Sequence, residues 1–267
     1  MPATPPAIAE VRCLVIAGND ARRFAQAQFA SDLSALQRGR WQWSAWLTPA
    51  GRVRALMQLF ESADRRLVAV LRGGDAEAIR AGLAPYLLRA EATLTLDTRI
   101  ARAGPAEPLA TVRAQGEYTI LGCGDRSLWL AAEPAEIDPA ARAAWHLADI
   151  RAGWPSLPDG EPRQLGPALG LVRLGAIALD KGCYPGQEII ARLHHRGGQT
   201  RALHHIRGTP PPTPGEHATG SGARTLTVLD VESAGSAYEA LVAAPQTATH
   251  TLDIDGVNYA ILARFAS

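Results

Sequence analysis

The segment Asp180–Arg192, which reads DKGCYPGQEIIAR, packs a lysine, a thiol, a phenol, two glycines, an amide and two carboxylates into a few residues. Lys181 is the only lysine in a chain with 27 lysine and arginine residues. A compact ammonium and a planar guanidinium are not interchangeable at a tight site. We therefore expect the ammonium of Lys181 to have a specific role. The simpler alternative is that one rare residue survives here by chance.

A turn followed by a helix is predicted inside this segment. Residues 184–187 (Tyr-Pro-Gly-Gln) have proline and glycine at the two central positions of a type II turn, where glycine accepts the positive φ. A helix beginning after the turn presents free backbone amides. Gln187 and Glu188 at its start offer the mixed donors and acceptors that could read a flat heterocycle such as a pterin. A solvated helix start without a ligand is the alternative.

Cys183 is the candidate nucleophile or redox-sensitive thiol. A neighbouring lysine and a nearby helix start both favour the thiolate. The alternative is a small buried hydrophobic residue, because free cysteine is among the most buried residue types. A catalytic pair with His194 or His195 is disfavoured, because these residues lie further along the predicted helix and need not point back.

The stretch after Glu188 is the most cationic part of the chain. No acidic residue occurs between Glu188 and Glu216, whereas four arginines and four histidines do. Such a stretch could hold an anionic tail, such as polyglutamate or phosphate, or simply form a charged surface. Adjacent histidines diverge on a helix or a strand, so the two His-His pairs do not predict a metal site.

Composition narrows the class of protein. A hydrophobic fraction of 47% and a charged fraction of 20% are typical of a soluble globular chain. A net charge of +1 gives no reason to expect nucleic acid or an anionic membrane as a direct partner. Three widely spaced cysteines without a C-x-x-C pair indicate a reducing, cytoplasmic compartment. The first residues do not resemble a signal peptide, and no apolar run approaches the roughly 20 residues of a membrane helix.

The order of predicted elements favours an α+β fold. Strand, helix and strand alternate with hairpins, including one over residues 41–60, and a helix opens at Asp138-Pro139. No G-x-G-x-x-G follows a strand, so no dinucleotide site is predicted. The proline tract 209–215 predicts a boundary, and the short strands beyond it suit a small antiparallel β-barrel.

The motif resembles the signature of a known family. Lys181-Gly182-Cys183-Tyr184-x-Gly186-Gln187-Glu188, followed by Ala191-Arg192 and Arg196-Gly197, is similar to that of the YgfZ family. These are folate-binding proteins related to the T-protein (aminomethyltransferase) of the glycine cleavage system. Gly18-x-Asp20, Gly51-Arg52 and the segment from Trp145 to Pro155 fit the same pattern.

The resemblance implies two interleaved α+β domains around a central folate pocket, plus a small C-terminal antiparallel β-barrel. We assign residues 1–50 and 140–205 to a folate-binding-like domain that carries the motif. Residues 51–139 form the second α+β domain, and residues 206–267 form the barrel.

The resemblance also implies a function. It predicts a tetrahydrofolate-binding accessory protein for iron–sulfur protein assembly or repair, linked in some members to tRNA-modifying enzymes. The expected partners are folate and iron–sulfur client or assembly proteins. Cys183 and Lys181 would carry the chemistry, and Trp145 would form an aromatic wall of the pocket. The expected folate contacts are Trp145, Tyr184, Gly186, Gln187, Glu188 and Arg192.

Two departures and two alternatives accompany this prediction. Gly170 stands where the family has asparagine, and Val11 stands where an early aromatic is expected, so one pterin contact and one stacking wall are missing.

The chain could instead be a folate-dependent one-carbon enzyme, an aminomethyltransferase or demethylase, with Asp32 or Glu188 as acid or base. It could also be a thiol-based scaffold that uses Cys183 without folate.

Overall fold

Two curled antiparallel sheets and four helices form the protein in a computed structural model that describes residues 4–158, 160, 164–218 and 225–265. The strands of the first sheet are β1 (Ala7–Ala17), β2 (Trp41–Leu47), β3 (Val53–Ala63), β4 (Arg66–Leu71), β5 (Thr93–Gly104), β6 (Val112–Gln115), β7 (Tyr118–Gly122) and β8 (Ser127–Ala131). The second sheet comprises β9 (Arg201–Gly208), β10 (Gly215–Ala218), β11 (Thr225–Ala234), β12 (Ala237–Pro245), β13 (Thr251–Ile254) and β14 (Val257–Phe265). The helices are α1 (Ala21–Gln28), α2 (Ala76–Leu83), α3 (Pro139–Ala152) and α4 (Gln187–Arg196). The mixed helix and strand class is as predicted.

The first sheet, in the order β2-β3-β4-β1-β5-β8-β7-β6, curls until its two edges meet. The backbone N–H of Trp41 donates to Ala110 O at 3.0 Å, and its indole Nε1 donates to Gly122 O at 2.8 Å. The strands of residues 1–50 and 51–139 therefore share one continuous sheet. The division of these residues into two interleaved domains stays a prediction.

The hairpin predicted over residues 41–60 is confirmed as β2 and β3, with Trp41 opposite Phe60. Trp41 and Trp43 lie on one face of β2, as alternation requires. Together with Trp154 they form a trio of edge-to-face rings with centroids 5.3–6.3 Å apart. This buried trio is where the first sheet meets α3 and the segment after it.

Helix α3 begins where its sequence predicts. The Asp138 carboxylate accepts from the N–H groups of Ala140 and Ala141, and Pro139 occupies the first helical position. Gly153 ends the helix at φ 65°. Trp145, Asp149 and Ile150 are its buried residues, so they face the rest of the protein.

The second sheet has the order β10-β11-β12-β9-β14-β13 and begins with β9. The predicted barrel boundary at residue 206 therefore falls inside a strand, because β9 pairs with β12 from Arg201 onward and with β14 from Leu203 onward. The proline tract 209–215 connects β9 to β10 within this sheet. Buried Glu239 of β12 accepts two hydrogen bonds from Arg151 of α3, at 2.8 and 2.9 Å, and lies 2.8 Å from His205 Nε2. This network attaches α3 to the second sheet.

The Glu239 network predicts acid sensitivity. Hydrogen bonds from Arg151, opposed by burial and assisted by His205, lower the pKa of Glu239 to about 2. The unfolded chain then binds more protons between pH 2 and about 4.5, so the stability that Glu239 provides is complete above pH 4.5 and is lost as the pH falls toward 2. We expect Glu239→Gln to flatten this part of a urea-unfolding profile measured against pH. An unchanged slope would contradict the assignment, and exposed Glu133→Gln serves as the control.

The motif turn packs on the β2–β3 turn. Gly186 has φ 82° and ψ −1°, and the Gln187 N–H donates to Tyr184 O at 3.2 Å, which confirms the predicted type II turn. A Cβ on Gly186 would lie 2.5 Å from Thr48 O and 3.0 Å from the Gly51 Cα. Glycine is required here both by φ and by the close backbone approach.

We expect Gly186→Ala to lower the free energy of unfolding by about 3 kcal/mol, because left-handed strain adds to a backbone overlap. Gly197→Ala is the matched control. Its φ of 68° is similar, but its Cβ would meet nothing within 4 Å, so it should cost only about 1 kcal/mol. Urea unfolding of both variants measures the difference, and equal losses would show that contact with the hairpin turn is unimportant.

Candidate functional site

A buried carboxylate bridges two buried guanidinium groups at the centre of the candidate site. Asp149 Oδ2 accepts from Arg72 Nη2 at 2.9 Å, and Asp149 Oδ1 accepts from Arg126 Nη2 at 2.7 Å. The side chain of Asp149 is 4% exposed, and those of Arg72 and Arg126 are 13% and 11% exposed. Burial alone would lower the pKa of Arg72, but the Asp149 carboxylate outweighs this and raises it. Arg72 therefore stays charged.

Tryptophan rings surround this ion cluster. The Arg126 guanidinium lies 4.7 Å from the ring centroid of Trp145 and 5.0 Å from that of Trp154. The Arg72 guanidinium lies 5.9 Å from the centroid of Trp43. Cations over aromatic faces are attracted by the ring quadrupole, most strongly where water is excluded. The cluster thus fixes the orientation of Trp145.

A cavity of about 280 Å³ adjoins the cluster between β1, the end of β4 and α3. We call it the tryptophan cavity. The lining that bears on ligand binding is Val11, Arg12, Gln58, Arg72, Trp145 and Asp149. Trp145 was expected to be a pocket wall, and Val11 was expected to replace a second aromatic wall. The structure brings these two positions to the same cavity.

The donors of the tryptophan cavity fit a flat ligand that carries acceptors. Among the described residues, the buried Nε atoms of Arg12 and Arg72 have no hydrogen-bond partner. Both atoms are covered by neighbouring protein atoms, so what the two guanidinium groups give the cavity is positive charge, which attracts ligand acceptors. The Gln58 amide, 2% exposed, also lines the cavity, and its side chain interacts with the Cys123 thiol as well. At about 280 Å³ the cavity lies at the lower end of the usual size range for small-molecule sites.

A second acid and a thiol lie close to the cluster. Asp230 of β11 accepts from the Ser156 N–H at 3.0 Å, and burial raises the pKa of its carboxyl. Burial also raises the pKa of Cys123 to about 11. The Cys123 thiol is therefore protonated at neutral pH, and its low thiolate content makes it a poor nucleophile.

Lys181 holds the loop that follows α1. Its ammonium donates to the carbonyls of Gln26, Phe29 and Ser31 at 2.5, 2.7 and 3.0 Å. An ammonium has three N–H donors, so all three are used. Burial lowers the pKa of Lys181 to about 8, against the attraction of the Asp32 carboxylate. We call Lys181 and these carbonyls the lysine clamp.

Of the other motif residues, Tyr184 and Gln187 form hydrogen bonds near the lysine clamp, whereas Cys183 and Glu188 lie at the surface. The Tyr184 hydroxyl donates to Ala178 O at 2.8 Å, and burial raises its pKa to about 12. Gln187 Nε2 donates to Lys181 O at 3.0 Å. Glu188 is exposed and pairs with Arg192 at 3.3 Å, one helical turn along α4. Cys183 is exposed, whereas Cys13 and Cys123 are buried.

The structure therefore brings Lys181, Tyr184 and Gln187 together but does not bring them to the tryptophan cavity. No residue of the segment 181–192 is among the described residues that line that cavity. The polar atoms of Lys181, Tyr184 and Gln187 bond within the chain. Their roles in catalysis or folate contact, with those of Cys183, Gly186, Glu188 and Arg192, stay predictions.

The sequence reasoning missed Arg72, Arg126 and Asp149. One signal was available, because Trp145 and Asp149 are four residues apart and so share one face of the predicted helix. A carboxylate on a buried helical face requires a cationic partner. The identity of that partner depends on the topology of the sheet.

The sequence of this chain is similar to the sequences of YgfZ proteins. The chain is 25% identical to the tRNA-modifying protein YgfZ of Sodalis glossinidius over 248 residues, which cover 81% of this chain and 75% of that protein. It is 27% identical to YgfZ of Pectobacterium carotovorum over 72% of this chain and 66% of that protein. The resemblance to YgfZ is confirmed. No protein-family model matches the chain.

A solved structure shows that the YgfZ-like chain shares its fold with an enzyme. Glycine cleavage system aminomethyltransferase T from Bartonella henselae superposes with a TM-score of 0.74, covering 98% of this chain and 84% of that one, at 16% identity. An identity this low carries over the fold and not the activity. Among the described residues no group of three or more histidine, cysteine or acidic side chains could hold a metal ion. None of the described helices combines the length and apolar character that crossing a membrane requires.

The lysine clamp predicts that arginine cannot replace Lys181. A planar guanidinium cannot direct donors to three carbonyls that converge on one point, so buried carbonyls would lose partners. We expect Lys181→Arg to lower the free energy of unfolding by about 2 kcal/mol in a urea titration. The reverse exchange at partly exposed Arg80 of α2, Arg80→Lys, is the control and should change little. Wild-type stability of Lys181→Arg would show that charge alone is sufficient.

Proposed function

We propose that this YgfZ-like protein binds tetrahydrofolate and serves as a cytoplasmic accessory protein in iron–sulfur protein assembly or repair, acting with tRNA-modifying enzymes. The observation that carries the proposal is the tryptophan cavity. It joins an aromatic wall, Trp145, to the guanidinium groups of Arg12 and Arg72 in a protein with the fold of a glycine cleavage T-protein.

The pterin ring would lie against Trp145 with its acceptor atoms toward Arg12 and Arg72. Arg126 occupies one region of the Trp145 ring, so the face toward the cavity is the one a ligand can use. Asp149 does not contact the ligand in this arrangement. It acts as a positioning residue, because it holds Arg72, which faces the ligand, and Arg126, which stacks on Trp145.

The iron–sulfur part of the proposal rests on the YgfZ-like motif and on the exposure of Cys183. An exposed thiol can exchange with, or contact, a partner protein, whereas the two buried thiols cannot. The relatives with the YgfZ name are described as tRNA-modifying proteins, which supports the link to tRNA modification.

The one-carbon enzyme is a weaker alternative because its candidate acids lie elsewhere. Asp32 accepts from Gln26 and Ser34, and Glu188 pairs with Arg192. Neither is among the described residues that line the tryptophan cavity. A general acid or base must come within hydrogen-bond reach of the group it serves.

Tetrahydrofolate titration followed by tryptophan fluorescence tests the proposal. We expect saturable binding, and Trp145→Leu should weaken it about tenfold, because a stacked aromatic contact is lost with its buried area. Trp129→Phe is the matched control, since Trp129 is buried on β8 and bonds to Ser127 away from the cavity. In cells lacking the protein, Trp145→Leu should also fail to restore the activity of iron–sulfur tRNA-modifying enzymes.

Two results would contradict this function. Absence of any fluorescence change at saturating tetrahydrofolate would remove folate from the proposal. If Trp145→Leu restored cellular activity fully while Cys183→Ser did not, the thiol-based scaffold without folate would be the better description.

A further inference from the structure

A second and larger cavity, of about 580 Å³, lies between the β2–β3 hairpin, α2 and the second sheet. We call it the hairpin cavity. Its floor is apolar and is formed by buried Trp46, Val53, Ile79 and Val228. A concave apolar site with a few polar groups, of this size, is the usual form of a small-molecule site.

The polar groups of the hairpin cavity are mostly acceptors. Buried Gln164 donates from Nε2 to Thr227 Oγ1 at 2.8 Å, and no described residue donates to its Oε1. At the rim, Asp75 Oδ1 accepts from the Ala78 N–H at 3.0 Å, and no described donor reaches Oδ2. A ligand for these groups must therefore present N–H donors and positive charge.

The one cationic side chain among the described lining residues is Arg54. Its guanidinium lies 4.9 Å from the ring centroid of Trp46, so it covers the outer part of the apolar floor. A guanidinium on an aromatic face offers a flat surface for stacking as well as a charge. A ligand with an aromatic body can thus lie beside it while its cationic end reaches Asp75.

We propose that the hairpin cavity is a binding site for a small primary amine with an aromatic or branched apolar body. The ammonium would pair with the Asp75 carboxylate at the rim and donate to Gln164 Oε1, and the apolar body would cover Val53, Ile79 and Val228. This inference does not depend on folate binding. The hairpin cavity is separate from the tryptophan cavity, and a layer of backbone lies between them.

A single layer of backbone separates the two cavities. The Leu157 N–H donates to Arg72 O at 2.8 Å, and the Gly74 N–H donates to Leu157 O at 3.1 Å. A Cβ on Gly73 would lie 2.1 Å from Leu157 O, so only glycine permits this approach. Gly74 lines both cavities. The two sites are therefore adjacent but distinct.

Calorimetric titration of the full chain with phenethylamine and with 3-phenylpropionate, its carboxylate counterpart of similar size, tests the inference. We expect saturable binding of the amine and none of the carboxylate. Asp75→Asn should weaken amine binding about tenfold by removing the charge, and asparagine is an equally good helix cap, so α2 is preserved. Glu77→Gln removes a neighbouring carboxylate of α2 outside the cavity and should leave the affinity unchanged.

Other outcomes would overturn the inference. These are equal binding of the two compounds, no binding of either, or equal effects of Asp75→Asn and Glu77→Gln. Leu157→Trp provides a check that does not depend on charge, because the larger side chain would fill the cavity and abolish amine binding. Trp145→Leu should leave amine binding intact, so a failure of folate binding and a failure of amine binding are distinguishable.

Discussion

The Asp149 carboxylate, which bridges Arg72 and Arg126, is the interaction on which the site depends. It joins α3 to the end of β4 and to the turn before β8, three segments that are distant in the chain. Buried charges are costly, and removing one partner of such a group leaves an uncompensated charge. Substitution of any of these three residues is therefore destabilising. Because Asp149 holds Arg126 and the Arg126 guanidinium lies over the Trp145 ring, Trp145 keeps one orientation.

Local signals in the sequence were sufficient for several elements. The hairpin of β2 and β3, the cap and start of α3 and the turn at Gly186 each depend on a few adjacent residues with strong conformational preferences. The order of strands was not accessible, because β1 pairs with β4 and β5 rather than with β2. The second sheet begins with β9, before the proline tract, which reads as a boundary in the sequence although it connects two strands of one sheet.

For the candidate site, too, the sequence showed the local signals but not the partners that are distant in the chain. The solitary Lys181 led us to expect a role specific to an ammonium, and the structure shows this ammonium donating three hydrogen bonds to backbone carbonyls. Composition could not reveal those acceptors, which precede the lysine by 150 to 155 positions. Arg72 and Asp149, 77 positions apart, were missed because only the sheet brings them together. Trp145 was assigned to the pocket through the family resemblance and not from the residues next to it in the sequence.

The lysine clamp has a consequence for chemical work on this protein. Apart from the terminal amine, Lys181 carries the only primary amine in the chain, so it is the one side chain that an amine-acylating dye or cross-linker can label. In the folded chain its nitrogen is held by three carbonyls, so acylation must wait until the motif leaves the loop after α1. The rate of lysine labelling therefore measures how often this one contact opens, without any probe being engineered into the chain.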